Sequence, residues 1–133
     1  ELMEACREEL RRLRNSTPGI QSLGLAGPDG FEVASLLRGS VDQNKIAALT
    51  STMVAVAHAV TRECGLATTR EVILETDSGR VLLMDVPAAE MRYALYVIAA
   101  DEALLGRTIG QTRACAANLA GILSGAKPSE ANG

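Results

Sequence analysis

Aromatic side chains are almost missing from this chain of 133 residues, which has no tryptophan and carries rings only at Phe31, Tyr93 and Tyr96. Three rings do not make the row of stacking platforms that single-stranded bases require. An excess of positive charge is missing too: the net charge of -3 offers no attraction to phosphate backbones or anionic lipid, so neither nucleic acid nor membrane is an expected partner. Cysteines are few, odd in number and far apart, at Cys6, Cys64 and Cys115, without a CxxC or a nearby histidine. That pattern specifies neither a disulfide framework nor a zinc site, and it fits a reducing cytoplasm. No apolar run reaches the roughly 20 residues that a bilayer span needs. No signal peptide is visible, although a chain that begins at Glu1 is compatible with removal of preceding residues.

The same scarcity limits chemistry. His58 is the single histidine, so any triad or metal cluster must use it. Its helical neighbours three and four residues away are Val54, Ala55, Thr61 and Arg62, none of them a carboxylate that would orient the ring. A packed or interface histidine is the expectation. "GILSGAKPS" has Ala126 directly before Lys127 and Pro128 after it, which breaks the phosphate-loop spacing. Gly106 and Gly110 of "GRTIG" fall inside a predicted helix and suggest tight helix packing. Asp101 and Glu102 read as first-turn complements to that helix's dipole. With no GxSxG, HExxH or paired-acid motif, no catalytic residue, metal or cofactor is expected.

What is present is an alternation of helical and strand patterns. "ELMEACREELRRLR" places Leu2, Cys6, Leu10 and Leu13 on one helical face, with pairs expected from Glu4 to Arg7 and from Glu8 to Arg12. "IQSLGLAG" and "FEVASLLR" flank Pro28-Asp29-Gly30, and "REVILETD" and "RVLLMDVP" flank Asp77-Ser78-Gly79, which predicts two hairpins. "MRYALYVIAA" supplies a fifth strand. A last helix has Leu105, Ile109, Thr112, Ala116, Leu119 and Leu123 as its inner stripe. The result is an α+β domain over residues 1–124, ordered α-β-β-α-β-β-β-α, with a five-stranded antiparallel sheet flanked by helices and a polar tail at 125–133.

The central helix, capped by Ser40 or Asp42 and stopped by Gly65, has no Asp, Glu, Lys or Arg from Ile46 to Thr61. Ile46, Leu49, Met53, Val56, Val60 and Cys64 form one stripe, expected to cover the sheet. Ala47, Thr50, Val54, Ala57, His58 and Thr61 form a second, smoother arc. A surface helix needs only one apolar stripe, so the second arc is expected to meet the same helix of another subunit; the alternative is cover by the chain's own first or last helix. Titration of an interfacial His58 would then make association respond to pH.

"GPDGFEVASL", the alanine-rich helix ending "ECGL", "EVILETDSGRVLLM" and "LLGRTIGQTR", taken in this order, resemble the roadblock/LC7 family over about residues 1–124. The resemblance implies a homodimer whose second strands, here with Val33 and Ser35, pair edge to edge beside paired central helices. It also implies a non-enzymatic regulator or scaffold for a Ras-like small GTPase, GTPase activation being the role of some bacterial members. No motif marks partner-contacting residues; Arg11, Arg12 and Arg14 are candidates for docking. The rival reading is a PAS- or GAF-like small-molecule sensor, which three dispersed aromatics do not favour.

Overall fold

A computed structural model describes residues 1–125. The elements run α1 (Leu2–Ser16), β1 (Ile20–Ala26), β2 (Glu32–Leu36), α2 (Gln43–Glu63), β3 (Glu71–Glu75), β4 (Gly79–Ala88), β5 (Met91–Ala100) and α3 (Leu105–Leu123). The expected order is present, and the five strands form one antiparallel sheet in the order β2-β1-β5-β4-β3. The tail expected at 125–133, with Lys127 and Pro128, lies outside the described residues beyond Gly125.

Local chemistry explains the joints. In the first hairpin, the Gly27 amide donates to the Phe31 carbonyl at 2.7 Å, and the Asp29 carboxylate accepts from the Phe31 amide at 3.1 Å. In the second, the Thr76 hydroxyl oxygen accepts from the Gly79 amide at 3.0 Å. Asp42, not Ser40, caps α2 and accepts from the Asn44 and Lys45 amides. Asp101 and Glu102 stand before α3 and not in its first turn, because the chain makes an additional turn in which Ala103 is buried and the helix begins only after Leu104.

The strands bury both faces. Leu82, Met84, Val86, Leu95 and Val97 join Cys6, Leu10, Leu13, Cys115 and Leu119 in a core that α1 and α3 cover. Leu83, Ala94 and Tyr96 point the other way, to a smaller core with Ala26, Ala47 and Val54 under α2. In place of the expected Glu4–Arg7 and Glu8–Arg12 pairs, α1 pairs Arg11 with Glu8 and Arg12 with Glu9, while Arg7 donates to the Ser35 carbonyl at 2.9 Å and so ties the helix to β2. Leu2, expected on the inner face, is exposed in the first turn of α1. Gly106 and Gly110 face open space, so they do not serve tight helix packing.

The α1–α3 core holds groups that resist ionisation. Burial, followed by the neighbouring Glu9, pushes the Cys115 thiol up from 9.0 to about 12; burial also raises Cys6 from 9.0 and, on the α2 side, Tyr96 from 10.0. Folding raises these values, so the unfolded chain loses protons first as pH climbs. Their contribution to stability is complete below pH 9.0 and is lost from there towards 12. The urea midpoint is expected to fall between about pH 8 and about pH 10.5, with a smaller fall in Cys115→Ala. A midpoint that stays level in the parent protein would contradict this account.

Candidate interaction surface

The stretch of α2 that is uncharged from Ile46 to Thr61 does have two apolar faces, but the one that covers the sheet is not the one expected. Ala47, Thr50 and Val54 of the smooth arc are 0%, 1% and 8% exposed and lie on the chain's own sheet. Leu49, Met53, Val56 and Val60 of the bulkier stripe are 60%, 39%, 51% and 55% exposed. Only Ile46, at the start of that stripe, packs partly against the small core, and Cys64 at its end is exposed. The reason is the shape of the sheet beneath. Ala26 and Ala94 present little more than backbone there, so the helix settles closest through its own small residues, whereas leucine and methionine would hold it away. The sequence carried a sign of this in Ala26, Ala94 and Gly24, but it was legible only once the facing strand positions were known.

Of the other residues expected at a subunit contact, Ala57 and Thr61 lie half-buried along the sheet-side margin of α2. The Thr61 hydroxyl shares a 2.9 Å hydrogen bond with the Thr69 hydroxyl, which also donates to the Ala57 carbonyl at 3.2 Å, so this margin is occupied by the chain's own loop. His58 turns towards Asp85 of β4, with Nε2 3.7 Å from Oδ2, and Arg92 of β5 donates to that same carboxylate. Helical spacing offered His58 no carboxylate; the sheet supplies one. Val33 and Ser35 belong to β2, which is an outer strand of the sheet with one side unpaired in the chain.

The four exposed apolar residues recur at spacings of four, three and four, which aligns them in one row along α2. A row of this kind at the surface of a small protein makes this face of α2 the candidate interaction surface. Nothing comparable is formed by Arg11 and Arg12, whose charges are already met by Glu8 and Glu9 on their own helix. Among the described residues no three His, Cys, Asp or Glu side chains are grouped to hold a metal ion, and no helix is long and apolar enough to cross a membrane.

An α+β fold with one helix on one face of a five-stranded antiparallel sheet and two on the other defines the class of protein. Residues 7–98 match the Roadblock/LC7 domain, and the chain belongs to that family. An uncharacterized protein of Methanocaldococcus jannaschii, MJ0310, is 34% identical over 71 residues, which span 53% of this chain and 62% of that protein. Among solved structures, the gliding protein mglB of Thermus thermophilus is 18% identical with a TM-score of 0.80, over 95% of this chain and 93% of that one. A Roadblock/LC7 domain of Streptomyces avermitilis is also 18% identical, with a TM-score of 0.76 over 85% and 92% of the two chains. At these identities the two structures share the fold with this protein.

Proposed function

We propose that the protein is a non-enzymatic homodimeric regulator or scaffold that binds a Ras-like small GTPase, GTPase activation being one form this regulation takes. The observation that carries the reading is the apolar row Leu49, Met53, Val56 and Val60, exposed along α2 in a chain of the Roadblock/LC7 family. A second copy related by a two-fold axis covers this row with its own, and the unpaired side of β2, at Val33 and Ser35, extends the contact from strand to strand. The resulting platform acts by holding the GTPase's mobile segments in one arrangement, which changes hydrolysis or exchange without donating a reactive group. The likeness to an mglB gliding protein supports this reading through the shared fold.

Two measurements test it. Light scattering during gel filtration is expected to give twice the 13.9 kDa chain mass; a monomer at micromolar concentration would remove the dimer. The immobilised protein is expected to capture a small GTPase encoded beside it and to distinguish the GTP-loaded from the GDP-loaded form. Equal retention of the two forms would leave a scaffold and not a regulator, and retention of neither would overturn the assigned partner.

A further inference from the structure

On the flank of α2 away from the apolar row, the helix, the loop after it and the start of β5 enclose an open cleft of about 480 Å³. Its walls include Ala55, His58 and Arg62 of α2, Leu66 and Thr68 of the loop, and Arg92. At roughly 100° of turn per residue, Ala55, Arg62 and His58 lie about 130–170° round the helix from the centre of the row Leu49, Met53, Val56 and Val60. A second copy seated on that row therefore leaves the cleft open.

Although the whole chain has a net charge of -3, cationic groups converge here. Asp85, whose side chain is 8% exposed, anchors the Arg92 guanidinium through Oδ2, while the Arg92 side chain stays more than half exposed. Among the described residues Arg62 has no ion pair, and Thr68, on the cleft wall, is exposed. Counting Asp85 against the two arginines, the cleft keeps one positive charge. Ala55 and Leu66 provide an apolar wall beside these donors, and the space exceeds that of a bare oxyanion.

We propose that this cleft binds a phosphate group, with Arg62 and Arg92 as its charged donors, Thr68 as a neutral one, and the Ala55–Leu66 wall free to receive the body of a small phosphomonoester. The site is independent of the GTPase reading and of the dimer contact.

Amide shifts in the full-length protein, followed by NMR during separate titrations with inorganic phosphate and AMP in chloride buffer, test the proposal. Saturable shifts confined to Ala55, His58, Leu66, Thr68 and Arg92 are expected, weakened about tenfold in Arg62→Glu and less in Arg62→Gln. Arg11→Glu, on the far side of the molecule, is expected to leave them unchanged. Equal affinity for the two probes supports the site with free phosphate as its ligand, and tighter binding of AMP supports it with a phosphomonoester resting on the apolar wall. No saturation by either probe up to about 10 mM, or saturation indifferent to Arg62→Glu, overturns it.

Discussion

Val54→Glu is expected to unfold the protein, whereas Val56→Glu, two positions along the same helix, is expected to leave it folded but monomeric. Val54 is 8% exposed and lies on Leu83, Ala94 and Tyr96, so a carboxylate there is buried with no cation to meet it. The cost is about 3–5 kcal/mol, a large part of the stability of a small domain. Val56 lies in the exposed row, where a glutamate in the free chain stays hydrated and changes stability by no more than about 0.5 kcal/mol. In the dimer, each partner brings a carboxylate into an apolar contact, and association is expected to weaken at least about 100-fold. Circular dichroism melts and light scattering on the two variants separate these outcomes. A folded, dimeric Val56→Glu protein would remove the apolar row from the subunit contact.

The second large effect is expected at Gly24. This residue is paired directly across the sheet from Tyr96, and the aromatic ring lies over it. A Cβ at Gly24 would stand 2.2 Å from the Tyr96 hydroxyl oxygen and 2.4 Å from the ring carbon that carries it. Tyr96 is fully buried between β1 and α2 and has nowhere to turn, so Gly24→Ala is expected to cost about 3 kcal/mol or more in urea unfolding. Combining it with Tyr96→Leu is expected to recover part of that loss, because the two changes share one volume. Additive losses in the double variant would show that the ring is not the obstacle. The contrast is Gly106 or Gly110 in α3, where a Cβ meets nothing within 4 Å and alanine is expected to add about 0.5–1 kcal/mol.

These paired predictions separate what each level of structure decides. The strand and helix patterns placed all eight elements, because an apolar period of two or 3.6 is a property of the chain itself. Asp42, Gly65 and the Pro28-Asp29-Gly30 turn were readable for the same reason: capping and turn formation involve residues only a few positions apart. The start of α3 was misplaced because Asp101 and Glu102 look like a helix's first turn, while the burial of Ala103 against Gly19 is a contact across the fold.

The two faces of α2 are legible in the sequence, whereas which of them turns inward is not. The absence of charge from Ile46 to Thr61 showed that α2 has two faces to cover, and the sequence by itself determined both sets of residues. Which set turns inward was decided by the sheet: hydrophobicity ranks the bulky row first, but close packing admits the side chains whose volume matches the alanines opposite. The His58–Asp85–Arg92 group lay beyond the sequence for a related reason, since its members come from three elements separated along the chain. Periodicity and local chemistry are written along the chain, whereas the choice between two apolar faces and the meeting of distant charges depend on distances that exist only after the sheet has formed.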